Sequence, residues 1–295
     1  MPKHSFHKMM KRFLCLFITL VSICLMLLAC SPKLMSEDAL CRIYFLDVGQ
    51  GDCTLIRTRD GDILIDAGPE AAQDALCLRL KQLGVKKITL AVFTHPDEDH
   101  VGGADGVLGQ IPVEEVWLPV REMDNPSAAR MEKAIQENGS LRKNIRAGER
   151  ILLGDVSIIA LAPFGDAGND PNDNSIVLRV TCGDIGMLFM GDASVKVEKK
   201  LMESYAAGHI SADLYKVGHH GSSTSNTEAF LNVVKPKYAV ICSSIDNSYG
   251  HPHGVVIERL QNIGATVLMT ATDGEVVLEC NQSAVWHITK KGEKQ

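Results

Sequence analysis

The chain has 295 residues, 45% of them hydrophobic, and its 30 lysines and arginines against 36 aspartates and glutamates give a net charge of −6. Beyond the first thirty residues no stretch approaches the roughly 20 apolar residues of a membrane-spanning helix, which excludes a channel or a transporter. Those thirty residues hold four basic groups and no acid, so the remainder carries 26 basic groups against 36 acidic ones, a net −10; that balance works against tight non-specific binding to polyphosphates.

The N-terminus opens with Lys3, Lys8, Lys11 and Arg12 and then runs apolar over 13–29. A basic start before a short greasy core is the layout of a secretory signal. Its end, Leu27-Leu28-Ala29-Cys30, resembles the bacterial lipobox, whose cysteine becomes the lipidated first residue after cleavage. An uncleaved membrane anchor is the competing reading, because about seventeen apolar residues sit at the low edge of a span. The expected organisation is a signal peptide at 1–29, a lipidated spacer at 30–40 and one folded domain at 41–290. The domain would lie outside the cytoplasm, attached to the bacterial cell membrane through Cys30. Six cysteines remain in it, Cys41, Cys53, Cys77, Cys182, Cys242 and Cys280, without any C-x-x-C pair. A zinc finger is therefore a poor fit. Buried thiols serving as small hydrophobes fit better, with one or two disulfides open to an oxidising compartment.

The domain starts with an expected strand at 42–48, a glycine turn at 49–52, a strand at 53–58, an Asp60-Gly61 hairpin turn and a third strand at 62–65 that ends at Asp66. The period then changes: Leu76, Leu80 and Leu83 share a helical face, and Gly84 suits the stop. A buried strand at 88–93 follows. Further strands are expected at 114–118, 151–161, 174–181, 185–190, 213–217, 237–242, 266–269, 275–280 and 284–288. Helices are expected at 126–138, 195–207, 226–234 and 254–263. The polar stretch 164–174 is the one obvious long loop.

The strand at 88–93 delivers Thr94-His95-Pro96-Asp97-Glu98-Asp99-His100-Val101-Gly102-Gly103 at its C-terminal end, the place where open α/β sheets bind ligands. A solvated loop has no need of two histidines and three acids there. Imidazole nitrogens and carboxylate oxygens are the ligands that divalent zinc, manganese and iron prefer. In an extended loop, alternate residues project to opposite sides, so His95 with Asp97 and Asp99 with His100 could each grip one ion. Two ions about 3.5–4 Å apart clamp a phosphoryl group and supply a hydroxide nucleophile. Asp192, after the strand at 185–190, is the residue suited to bridge the two metals. Gly218-His219-His220-Gly221-Ser222 follows the strand at 213–217; either histidine could complete the second metal, leaving the other to support it or to bind substrate.

Six segments then occur in one order: 45–52 (FLDVGQGD), 64–68 (LIDAG), the run at 95–100, Asn174-Ser175, Gly191-Asp192 and 219–222 (HHGS). They resemble the metallo-β-lactamase superfamily, and specifically the soluble hydrolase domain of the ComEC/Rec2 DNA-uptake proteins. The similarity runs from about Ile43 to Ile288 and takes in the late element 247–252 (NSYGHP). It implies an α/β fold, an αββα sandwich with the metals at one edge of two face-to-face sheets. It also implies that Asp66 orients the metal loop by hydrogen bonding, and that Asp47, Asp52, Asn172 and Asn174 support the ligands. Two departures from the common superfamily pattern matter. Asp97 stands where a second histidine is usual, a change the ComEC-like branch shares; it makes the site harder and more anionic. The usual third-motif histidine is absent from 101–191, and Asn172 or Asn174 occupies that region, so the first metal is expected to be bound weakly or to be completed by water.

The expected activity is metal-dependent hydrolysis of a phosphodiester, with DNA the leading substrate, two zinc or manganese ions (magnesium a further candidate), and Asp99 or Asp192 orienting the water. His251, Lys216 or one of His219 and His220 would stabilise the developing charge. His209 and His287 read as structural, and Lys196, Lys199 and Lys200 as a solvated helix face. Three alternatives compete: a phosphodiesterase on cell-envelope phosphoesters such as teichoic-acid phosphorylcholine, a β-lactamase, and a non-catalytic binding module with a degenerate site.

Overall fold

The computed structural model describes residues 35–120, 125–165 and 170–288. The expected signal peptide, Cys30 and the first part of the spacer lie outside them. The first sheet comprises β1 (Cys41–Phe45), β2 (Thr54–Thr58), β3 (Asp62–Ile65), β4 (Ile88–Val92), β5 (Val113–Pro119) and β6 (Leu141–Ile145). The second comprises β7 (Arg150–Leu153), β8 (Val156–Ala162), β9 (Val177–Cys182), β10 (Ile185–Phe189), β11 (Leu214–Lys216), β12 (Tyr238–Ile241) and β13 (Thr266–Met269); β14 (Val276–Cys280) and β15 (Val285–Ile288) then return to the first.

Period-two alternation sorts the side chains into layers. Ile43 and Phe45 of β1, and Leu90 and Val92 of β4, join the core between the sheets. Tyr44, Leu46, Ala91 and Phe93 face the opposite way, under α1 (Gln73–Gln82), α2 (Glu98–Val101), α3 (Ala104–Gln110) and α4 (Pro126–Asn138). In the second sheet Met187, Phe189, Tyr238 and Val240 enter the central layer. Leu188, Ala239 and Ile241 pack outward, against α5 (Val195–Ser204), α6 (Ala207–Ile210), α7 (Glu228–Val234) and α8 (Gly254–Asn262). A last short helix, α9 (Thr270–Asp273), follows β13. Strands apolar on both faces thus give four layers, an αββα sandwich. Among the described residues no helix is long and apolar enough to cross a membrane.

The first sheet runs β15-β14-β1-β2-β3-β4-β5-β6 and the second β13-β12-β11-β10-β9-β8-β7. Each is half antiparallel and half parallel: β3 to β6 are parallel in one, β10 to β13 in the other. The C-terminal ends of both parallel halves lie at the same pole.

Three expectations change. The strand at 151–161 is a hairpin, broken at Gly154, whose φ is +57°, so β7 and β8 pair antiparallel. The first strand stops at Phe45, because Leu46 turns to donate to the Cys53 carbonyl at 2.9 Å. Glu98–Val101 is helical rather than extended, with the Asp97 carbonyl accepting from the backbones of His100 and Val101, both at 3.0 Å. The alternating projection expected of this run therefore does not occur.

Candidate metal centre

Five strands end at one cleft: β3 supplies Asp66, β4 the run from His95 to His100, β10 Asp192, β11 His219 and His220, and β12 the segment that carries His251. Asp66 takes a left-handed conformation, φ +58°, and its carboxylate accepts from the Thr94 backbone at 2.7 Å, the Thr94 hydroxyl at 2.8 Å and His100 Nδ1 at 2.8 Å. Fixing Nδ1 turns His100 Nε2 toward the centre of the cleft. The β1–β2 turn is pressed against the same run. Asp52 donates its backbone N–H to the Asp99 carbonyl at 3.0 Å, and a Cβ at Gly51 would stand 2.4 Å from that oxygen. Only glycine permits the approach.

Asp192 is the hub. Its Oδ1 lies 3.2 Å from His100 Nε2, and its Oδ2 lies 3.8 Å from His95 Nε2 and 3.6 Å from Nε2 of both His219 and His220. Asp97, at 3.7 Å from His95, and Asp99, at 3.1 Å from His220, complete the outer rim. Burial opposes charge on the Asp192 carboxyl, but His220 and His100 outweigh it and hold its pKa well below the usual range. Burial likewise opposes a charged His220, yet Asp192, Asp52 and Asp99 push it up to about 10. His100 is raised in the same way, with burial opposing and Asp192 and Asp66 prevailing.

His219 and His220 are consecutive residues in left-handed backbone, φ 49° and 50°, a conformation that costs a non-glycine residue about 1–2 kcal/mol. Sequence reasoning missed what holds them. The buried Asn226 side chain accepts from the Gly218 N–H at 3.1 Å and donates to the carbonyls of Gly218 at 2.9 Å and Ser222 at 3.2 Å. Asn226 is in turn fastened through its backbone to Glu198, a fully buried acid of α5 that also receives the Thr227 hydroxyl at 2.7 Å. His219, His220 and their clamp are separate segments in the sequence; the one available signal is that asparagine tolerates left-handed backbone, which Asn226 adopts at φ 62°.

Other expected residues take different places. Lys216, expected to stabilise charge on a substrate, is 2% exposed, with Nζ 2.7 Å from Asp52 and 2.9 Å from the Val217 carbonyl. A ligand would have to displace Asp52 to reach it, so its contact is internal. Asp52 itself sits 3.2 Å from His220 Nδ1, closer to the ligands than a distant support. Asp47 is exposed and caps the turn through the Gly49 N–H at 3.2 Å; among the described residues it makes no hydrogen bond or ion pair to the histidines. Asn174 donates its amide to the Asp170 carbonyl at 3.0 Å, and the neighbouring Ser175 hydroxyl accepts from the Asp192 N–H at 3.3 Å. Asn172 keeps a buried amide oxygen without a hydrogen-bond partner. His251 lies against the cluster, its ring 5.4 Å from His219 and 6.2 Å from His220. Burial, then His219, His220 and His253, lower its pKa to about 4. His253 instead accepts from the Ser223 N–H at 2.9 Å.

The donor set fits divalent cations. Nε2 of His95, His100 and His220, with Oδ1 of Asp192 and Asp52, are buried atoms without a hydrogen-bond partner. Left so, each costs about 1–3 kcal/mol. Asp52, His100, Asp192 and His220 each offer one donor atom within 4.8 Å of the others, and nitrogen with carboxylate oxygen suits borderline and hard first-row ions.

The metallo-β-lactamase superfamily model matches residues 46–244. The chain belongs to this superfamily. Its domain is of the ComEC-like type: it is 28% identical over 263 residues to ComE operon protein 3 of Bacillus subtilis, covering 83% of this chain and 33% of that one. It is 33% identical to competence protein ComA of Neisseria gonorrhoeae, over 77% of this chain and 30% of that one. Recombination protein 2 of Haemophilus influenzae is also 33% identical, over 78% and 28%. The chain thus spans about a third of the length of these relatives. Among solved structures, CmlA, a diiron β-hydroxylase from Streptomyces venezuelae, aligns with a TM-score of 0.55 at 14% identity over 83% of this chain and 55% of that one. Igni18, a metallo hydrolase from Ignicoccus hospitalis, aligns at 0.54 and 14% identity over 81% and 100%. These two share the fold.

Proposed function

We propose that this superfamily hydrolase is an extracytoplasmic, lipid-anchored phosphodiesterase that cleaves DNA. The observation that carries the reading is the Asp192 carboxylate set among four imidazoles, three of which keep buried, unpartnered nitrogens. His95, Asp97, Asp99, His100, Asp192, His219 and His220 would hold two divalent cations, manganese or zinc. Such ions supply electrophilic pull on a phosphate and a lowered pKa to water.

The chain's own groups do the rest. Asp66 fixes His100, and the Cys242 carbonyl, 2.9 Å from His220 Nδ1, fixes His220 with Asp52 beside it, so the ligands are oriented before anything binds. Asp99, 28% exposed at its side chain, stands where it can orient an attacking water. His251, neutral at physiological pH, has an unpartnered Nδ1 suited to a hydrogen bond with a phosphate oxygen. Tyr249, 65% exposed and stacked on His251 at 5.6 Å, offers an aromatic face on which a base can stack. The competence and recombination names of the relatives also favour DNA.

The test is cleavage of single- and double-stranded DNA by the purified chain with and without manganese. Asp192→Asn is expected to abolish it; equal activity in that variant removes Asp192 from the mechanism. The net −10 outside the N-terminal segment favours a second reading, a phosphodiesterase on envelope phosphoesters. Choline-phosphate esters and small chromogenic phosphodiesters, run beside DNA, separate the two. Turnover of those esters without DNA cleavage selects the second.

A further inference from the structure

Three of the six buried cysteines meet at the pole of the sandwich remote from the metal centre. Cys41 opens β1, Cys280 closes β14 and Cys182 closes β9, and one sulfur from each lies within 4.8 Å of the others. All three are 0% exposed and belong to the apolar layer between the sheets, with Ile43, Val156, Ile158, Val180, Ile185 and Val285. Cys41 and Cys280 are direct cross-strand partners in antiparallel register. Their sulfurs stand 3.0 Å apart, closer than the ~3.5–4.0 Å at which the smaller carbon atoms pack. At that separation either thiol can donate to the other, and a disulfide closes with an approach of about 1 Å.

Two kinds of chemistry use such a trio. Three thiolates suit a soft cation, but around a divalent ion they carry a net negative charge, and burying it in an apolar layer is costly. A disulfide is neutral and matches its surroundings. Cross-strand register selects the pair.

We propose that Cys41 and Cys280 form an oxidisable dithiol/disulfide site that fastens β14 to β1, with Cys182 left as the neighbouring thiol. In the oxidation the two thiols give up two protons and two electrons to a disulfide oxidant. The oxidant's sulfur–sulfur bond breaks to yield two thiols as the Cys41–Cys280 bond forms. The crosslink joins residues 239 positions apart, tying the entry strand to the returning strand, so it restricts the unfolded chain strongly.

The experiment unfolds the full-length chain and refolds it across a series of oxidised-to-reduced glutathione ratios. Samples are acid-quenched, alkylated under denaturing conditions and digested without reductant. The peptide bearing Cys41 is expected to emerge joined to the peptide bearing Cys280, with Cys182 alkylated. The oxidised chain is expected to melt about 10 °C above the reduced one, a difference that Cys280→Ala removes. Where that variant does not fold, the wild-type peptide map decides alone. Alkylation of both Cys41 and Cys280 at every ratio overturns the proposal, as does a bridge to Cys182. An extra equivalent of zinc or copper, bound by the reduced chain and lost in Cys182→Ser, overturns it in favour of a metal. None of these readouts depends on hydrolytic activity.

Discussion

Asp66 shows how much of the centre rests on one side chain outside the ligand set. Its two oxygens receive three donors, from Thr94 and His100. Asp66→Asn turns one acceptor into a donor that faces another donor, so His100 loses its anchor. Metal affinity is expected to fall about 10–100-fold, read by competition with a chromogenic chelator; an unchanged affinity would show that His100 is held by packing alone. Protonation gives a second prediction. In the metal-free chain burial disfavours charge on His220, but its carboxylates raise it to about 10, and His100 is also raised. Both rings therefore carry a proton at neutral pH that a cation must displace, and apparent affinity rises with pH below that value. Calorimetric titration with manganese in two buffers of different ionisation enthalpy is expected to show net proton release. At this scale the contiguous run from His95 to His100 was legible because its polar residues interrupt an apolar strand and a glycine pair. Glu198 was not, because its neighbours Lys196, Lys199 and Lys200 read as a solvated helix face and nothing in the sequence set this acid apart from them.

The loop after β11 is strained at His219 and His220 and stapled by Asn226, so the staple controls the element. Asn226→Ala leaves the Gly218 N–H and the Tyr215 hydroxyl without their acceptor. A loss of about 1–3 kcal/mol in stability is expected for such a buried, unsatisfied polar group. A drop in manganese affinity should accompany it; calorimetric melting and metal titration on the same sample check both. If affinity survives while stability falls, the strained loop holds its shape without the staple. Elements with strong periodicity, such as β1 to β4, α4 and α8, were readable from the sequence to within a few residues. The edge strand β6 was not: Leu141, Arg142, Lys143 and Asn144 are exposed and only Ile145 is buried, so no apolar alternation marks it. The α2 turn was missed because its residues, Glu98 to Val101, were read for their donor chemistry, although its hydrogen bonds to the Asp97 and Glu98 carbonyls are local.

Across the whole molecule the two sheets are held by the layer between them, where Phe45 stacks on Phe189 with ring centroids 6.2 Å apart. Phe45→Ala is expected to destabilise the fold by about 3–5 kcal/mol. Urea denaturation should show a lower midpoint at unchanged slope; a changed slope would mean that the sheets unfold separately. The doubling of half-antiparallel, half-parallel sheets could not be deduced from periodicity, since strand order depends on contacts between residues as distant as Cys41 and Cys280. One consequence follows from the direction of β1, which runs from the cysteine pole toward the cleft. From the pole where β1 begins, the sandwich thus widens into a single working end, and a bulky insertion at 246–249, beside His251, would cork its mouth.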